Sequence, residues 1–155
     1  MGLEIERKFL LSGDDWRDLA PKIRYRQGYI NADKERTVRV RTCDRKGFLT
    51  VKGLSIGASR LEFEYEIPLP DAEIMLAELC EKPLIEKDRT LIRFGRVTWE
   101  VDEFLGENSG LIIAEVELEH QNQAIDKPDW VGKEVTGDPR YFNSNLIRHP
   151  YSTWK

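Results

Sequence analysis

The chain has 155 residues, enough for one domain with a sizeable core. Charged residues make up 34% of it, but 24 bases nearly balance 28 acids and leave a net charge of −4, which argues against a general nucleic-acid binder. No long apolar run, basic amphipathic helix or apolar N-terminal stretch points to a membrane span, a membrane-surface helix or a signal peptide, and Cys43 and Cys80 have no metal or redox spacing, so a cytoplasmic protein with two reduced thiols is expected.

Alternation predicts a first strand from Gly2 to Leu11. Ser12 to Leu19 reads as a short helix, capped by Ser12, Asp14 or Asp15 and stopped by Pro21. A second strand runs from Tyr25 to Asn31 and turns through Lys34 into Thr37–Thr42. Asp44–Gly47 forms a hairpin turn into Phe48–Lys52, and Gly53–Gly57 is a loop. Leu61–Pro68 is a strand, after which Asp71 caps a helix reaching about Glu81. Ile85–Phe94, Val97–Phe104 and Leu111–Glu119 complete eight strands, and Asp138-Pro139 resembles a helix start. Many short strands with few helices predict an antiparallel barrel or wrapped sheet.

The charges obey a parity rule. Spacing of two relates Glu4, Glu6 and Lys8; Arg39 and Arg41; Thr50 and Lys52; and Arg60, Glu62, Glu64 and Glu66. It recurs in Lys87 and Arg89, in Glu100 and Asp102, and in Glu115, Glu117 and Glu119. Residues at this spacing share one face of a strand, so each strand carries a charged face, with apolar residues such as Val38, Val40, Ala114 and Val116 on the other. One explanation is a wet antiparallel face laced with ordinary cross-strand salt bridges, each contributing about 0.2–1 kcal/mol. The other is a closed sheet with its charges inside. Glu62, Glu64 and Glu66 place like charges about 7 Å apart on one face, as do Glu115, Glu117 and Glu119, and the basic clusters lie on other segments. Acids beside segregated bases suit divalent metal ions held together with a polyanion, since hard cations take carboxylate oxygens and Arg and Lys take phosphate. Glycine-rich phosphate loops, a nucleophile elbow and paired metal-ligand histidines are missing, and His120 and His149 read as surface or structural residues.

Glu4-x-Glu6-x-Lys8 resembles the N-terminal signature of the CYTH, or triphosphate tunnel metalloenzyme, superfamily. Gln27-Gly28-Tyr29, Val38–Arg41, Thr50–Lys52, Arg60–Glu64, Lys87–Arg89, Trp99–Asp102 and Ala114–Glu117 are similar to its later strands, in order. Gly132–Thr136, followed by Tyr141, Asn143 and Leu146, is similar to its C-terminal segment, so the resemblance spans nearly the whole chain. It implies a single domain over residues 1–155 of α+β class, mainly β: an eight-stranded antiparallel β-barrel forming a charged tunnel, with a few short flanking helices. It implies Mg²⁺ or Mn²⁺ as cofactor and a small-molecule triphosphate as partner, with no nucleic acid and no membrane; the oligomeric state stays open.

Carried over residue by residue, Lys8, Arg39, Arg41, Lys52, Lys87 and Arg89 hold phosphate. Glu4, Glu6, Glu115 and Glu117 hold metal, with Glu62, Glu64 and Asp102 as helpers, and the catalytic set is Glu4, Glu6, Lys8, Lys52 and Glu117. Glu66, Glu100 and Glu119 read as peripheral, Tyr29 as a tunnel hydroxyl or a plain barrel aromatic, and Arg60 as a phosphate contact or a salt-bridge partner of the neighbouring acids. The implied reaction is hydrolysis of tripolyphosphate to diphosphate and phosphate. Alternatives are a class IV adenylate cyclase, a thiamine triphosphatase and a non-catalytic polyphosphate-binding module; the many acids argue against the last.

Overall fold

The computed structural model describes residues 2–154; Met1 and Lys155, the ends of the expected 1–155 domain, lie outside the described residues. Among the described residues nine strands form: β1 (Leu3–Leu11), β2 (Lys22–Asn31), β3 (Arg36–Cys43), β4 (Lys46–Gly53), β5 (Ser59–Ile67), β6 (Ile85–Phe94), β7 (Val97–Phe104), β8 (Ile112–Glu117) and β9 (Val131–Glu134). Two α-helices accompany them, α1 (Leu69–Glu78) and the single turn α2 (Asn143–Leu146). The strand order β5-β4-β3-β2-β6-β7-β8-β1 is antiparallel throughout, and pairing of β5 with β1 closes eight strands into a barrel. Closure removes the exposed edges that an open sheet of this size presents.

The edge of β1 is divided. Leu3–Ile5 pairs with β5, whereas Phe9 and Leu11 pair with β9. Strand β9 is the one strand not expected from the sequence, because four residues are too few to show alternation. The β3–β4 hairpin is tighter than the expected Asp44–Gly47 turn. Its two central residues, Asp44 and Arg45, have φ of 48° and 64°, the double left-handed geometry that suits the twist of a two-residue hairpin.

Two helix expectations need correction. Ser12–Leu19 forms turns, not a helix: Trp16 is driven wholly into the core, and that anchor overrides a weak local preference. Helix α1 begins before Asp71 and stops before Glu81. Pro68 occupies its cap position, Pro70 lies in the first turn where a missing N–H costs nothing, and Asp71 supplies first-turn charge and no capping bond. At Asp138 the helix start takes the form of a short 3₁₀ turn, with Asp138 Oδ1 accepting from the Arg140 N–H at 3.1 Å.

The outward face of β1, β6, β7 and β8 is covered by an apolar cluster of Ile5, Phe9, Trp16, Trp99, Val101, Val116 and Trp130. Trp99 stacks edge-on against Phe9 and Trp130 at centroid distances of 5.5 and 5.9 Å. Helix α1 covers the outside of β3 and β4 through Ala72 and Leu76, joined by Cys80 just beyond its end, against Val40. The outer residues of β5, Leu61, Phe63 and Tyr65, stay 56%, 45% and 63% exposed, so the apolar face of this strand is not covered.

Candidate active site

The opposite parity fills the barrel. Glu4, Glu6 and Lys8 point inward from β1, Arg39 and Arg41 from β3, Lys52 from β4, Glu62 and Glu64 from β5, and Glu115 and Glu117 from β8, where all of them line connected cavities. The registers that make this possible place Glu6 opposite Glu117, Lys8 opposite Glu115, Lys52 opposite Glu62 and Arg89 opposite Asp102. Every sequence-predicted site residue therefore lies on the inner surface, and the wet-face explanation fails because the charged face encloses a cavity.

Charge changes along the barrel axis. One end, a cavity of about 120 Å³, is lined by Glu4, Glu6, Glu62, Glu64, Glu100, Glu115 and Glu117 together with Arg39, Arg41, Lys52 and Arg89. The other, of about 40 Å³, is lined by Lys8, Lys52, Lys87, Arg39, Arg60 and Arg89 with Glu6, Glu115 and polar or aromatic residues. Glu100, read as peripheral, faces inward at the acidic mouth, with Arg89 Nη1 at 3.5 Å from its Oε1. Its parity with Asp102 was the signal in the sequence.

At the basic end the cations are held by fixed partners. Asp102 is wholly buried and accepts Arg89 in a two-pronged pair at 2.7 and 2.9 Å, with Lys87 Nζ at 2.9 Å from the same carboxylate. Burial alone would raise the Asp102 pKa, but Arg89 and Lys87 outweigh it and keep the carboxylate ionised. Burial lowers Lys87 to about 8 against the pull of Asp102. Tyr25 stacks beneath Arg89 and Arg41, whose guanidinium carbons sit 4.7 and 5.1 Å from its ring centre. The buried Nε groups of Arg39 and Arg41 have no hydrogen-bond partner among the described residues, although both arginines line the cavity. Unpaired donors of this kind suit an anion.

Toward the acidic mouth, lysines lie between carboxylates. Lys52 Nζ is 3.3 Å from Glu4 and 3.0 Å from Glu62, and Lys8 Nζ is 3.7 Å from Glu115 and 4.0 Å from Glu6. Burial raises Glu4 to about 7, supported by its hydrogen bond to Glu62, whose own carboxyl is correspondingly held low by Lys52 and Glu4 in spite of burial. Burial, then Glu115 and Glu4, raises Glu6 well above the usual carboxylate range. Burial and Glu62 also raise Glu117, while Lys8 outweighs burial and lowers Glu115. Among the described residues no three carboxylates converge closely enough to hold an ion as they stand. The donor set nonetheless fits a hard divalent cation: all are carboxylate oxygens, and burial, reinforced by neighbouring carboxylates, has pushed three of them toward protonation.

Several contributors escaped the sequence reading. Gln27 and Thr37 are inward and buried, beside Tyr29, expected as a tunnel hydroxyl or a barrel aromatic, which is inward and buried too. Gln27 Nε2 donates to Tyr29 Oη at 3.1 Å and to Asn143 Oδ1 at 3.2 Å, and Asn143 Oδ1 also accepts from Lys87 Nζ at 3.0 Å. Arg60 takes neither acid as partner: its Nε donates to the Gly53 carbonyl at 3.0 Å and its head lines the cavity. Phe142, Asn143 and Ser144 reach the cavity from a distant stretch of chain, and nothing local in their sequence signals that placement.

Comparison with known proteins gives a consistent result. The CYTH domain family profile matches residues 2–151. An inorganic triphosphatase of Acetivibrio thermocellus is 60% identical over 155 residues, covering 100% of this chain and 99% of that protein. An inorganic triphosphatase of Nitrosomonas europaea is 36% identical over 148 residues, covering 92% of this chain and 95% of that protein. The crystal structure of an inorganic triphosphatase superposes with a TM-score of 0.66 at 32% identity, covering 93% of each chain. A putative adenylate cyclase from Bacillus halodurans has the same fold, with a TM-score of 0.60 at 16% identity over 77% of this chain and 83% of that one.

Proposed function

The chain belongs to the CYTH domain family, and from that premise we propose that it hydrolyses inorganic tripolyphosphate to diphosphate and phosphate inside the barrel, with Mg²⁺ or Mn²⁺ as cofactor. The observation that carries this reading is the segregation of charge: cations concentrate at one end of the barrel cavity and carboxylates at the other. We assign residues 1–155 to one triphosphate tunnel domain acting in the cytoplasm, a setting that suits the free thiols of Cys43 and Cys80.

In this reading Lys8, Arg39, Arg41, Lys52, Lys87 and Arg89 bind the phosphate chain. Their charges are fixed before substrate arrives, so they stabilise negative charge that builds on the departing diphosphate without reorganisation in the transition state. Asp102, expected from the sequence as a metal helper beside Glu62 and Glu64, instead orients Lys87 and Arg89, because it is wholly buried and both of its oxygens already serve those two cations. Glu4, Glu6, Glu115 and Glu117 would hold the metal, with Glu62 and Glu64 beside them. When bound there, a divalent ion offsets phosphate charge and lowers the pKa of a coordinated water. Water adds to the terminal phosphorus and gives up a proton to solvent, the bond from that phosphorus to the bridging oxygen breaks, and that oxygen leaves on diphosphate with the electron pair.

The test is purified protein with tripolyphosphate, and in parallel with ATP, in Mg²⁺, Mn²⁺ or chelator. Metal-dependent phosphate release from tripolyphosphate is expected, with Lys8→Ala and Glu117→Ala each lowering kcat/KM by about 10²–10³ in a folded barrel. Full activity in both variants would overturn the residue assignment. Cyclic AMP from ATP would move the answer to a cyclase, and tight polyphosphate binding in chelator without turnover would leave a binding module.

A further inference from the structure

Along four strands the inward parity turns from charged to apolar at a similar depth. Lys8 is followed by Leu10 and Asp102 by Phe104, while Lys87 is preceded by Ile85 and Glu115 by Ile113. These residues pack against Tyr141, Leu146 and Ile147 of the C-terminal segment, so that end of the barrel is filled by an apolar core. At the boundary between charged and apolar interior stand Phe142 and Asn143. The Phe142 ring centre lies 5.3 Å from Lys8 Nζ, and Asn143 is tied to Lys87 and Gln27.

Phe142 has a second face. It also lines a separate vestibule of about 360 Å³, together with Lys34, Leu54, Arg60 and Pro139. Phe142, with Arg60 and Ser144, therefore divides the phosphate cavity from a partly basic space outside it, and it is the apolar member of that wall. An apolar ring gives phosphate oxygens no donor, so a phosphate pressed against it loses water without replacement. The backbone that carries the ring is fixed. Phe142 N–H donates to the Pro139 carbonyl at 3.1 Å, and its own carbonyl accepts from Asn145 and Leu146 at 2.9 and 3.1 Å.

We infer that Phe142, backed by Asn143, is the stop of the phosphate site: it admits a linear polyphosphate by its terminus, through the acidic mouth, and fixes which phosphoanhydride bond comes to rest beside the carboxylates. The inference rests on the proposed triphosphatase reading. It makes Phe142 a specificity residue for chain register, without direct chemistry.

Tripolyphosphate yields the same products from either end, so the test uses tetrapolyphosphate. One water cleaves it either to phosphate and tripolyphosphate or to two diphosphates, and the initial ratio, read by ion chromatography, reports the register. Wild type is expected to favour one pair of products strongly. Phe142→Ala opens the wall to the vestibule, lets the chain slide deeper and shifts the ratio by about tenfold toward the other pair. Phe142→Leu keeps a wall and the wild-type ratio. If Phe142→Ala does not fold, as judged by circular dichroism and Tm, Phe142→Val carries the same comparison.

An unchanged ratio in a folded Phe142→Ala or Phe142→Val protein would overturn the inference, and so would a wild type that makes both product pairs equally. Should wild type leave tetrapolyphosphate intact, turnover gained by Phe142→Ala supports the stop, and no gain sinks it. Wild-type protein that releases no phosphate from tripolyphosphate with metal fails the functional reading itself, a separate result from an unshifted ratio.

Discussion

Burial has opposite consequences for the two kinds of charge in this cavity. It raises Glu4 to about 7 and lowers Lys87 to about 8, so the carboxyl is still partly protonated near neutrality and the ammonium begins to lose its proton just above it. Metal requires the ionised carboxylate and phosphate prefers the ammonium. In the free enzyme, kcat/KM is therefore expected to rise as pH climbs through about 7 and fall as it passes about 8. Lys87→Arg carries a charge that does not titrate in this range and should remove the alkaline limb while leaving the acid limb in place. A pH profile of kcat/KM for both proteins checks this; an alkaline limb that persists in Lys87→Arg would show that another group sets it. The inward orientation of Glu100 has the same lesson at this scale, since its parity with Asp102 was a better guide than its distance from the recognised motifs.

At the scale of elements, alternation identified eight of the nine strands, because a two-residue period is written directly into which side chains are charged. Its failures were elements held by few residues. The four residues of β9 are recruited by the free edge of β1, and the Ser12–Leu19 turns by burial of one tryptophan. Helix α1 docks on the barrel where two strands lack side chains. A Cβ at Gly47 would lie 2.6 Å from the Ala72 Cβ of the helix, and one at Gly28 would lie 2.7 Å from Leu84 and 2.8 Å from the Cys80 Cβ in the segment that follows the helix. Gly47→Ala is therefore expected to destabilise the protein by about 1–3 kcal/mol, as overpacking does, by forcing the helix outward. Urea unfolding measures the loss, and metal dependence should persist because α1 lies outside the barrel. A Gly47→Ala protein as stable as wild type would mean that the helix yields freely.

For the whole molecule, closure of the barrel collects buried charges of both signs, and the paired ones offset much of their desolvation cost only where the partner is fixed, as at Asp102. The crowded carboxylates of the acidic mouth lack that arrangement. Ligands that supply positive charge there and negative charge at the basic end should stabilise the fold. With Mg²⁺ and tripolyphosphate each at about a hundred times its dissociation constant, linkage predicts a gain of about 2.7 kcal/mol or more, seen as a higher Tm that chelator reverses. No shift in Tm would argue that neither ligand occupies the cavity. Eight of the strands, the parity of their charged faces and, through ordered motifs, the family were legible in the chain alone, because these are local periodicities or fixed spacings. The tertiary structure alone decided that the interior is filled at one end, that Arg60 bonds backbone instead of acid, and that Phe142 and Asn143 meet Lys8 and Lys87. The contacts of Phe142 and Asn143 join residues more than fifty positions apart, and they follow from barrel closure and from the way the C-terminal segment packs into it, neither of which leaves a local pattern in the chain.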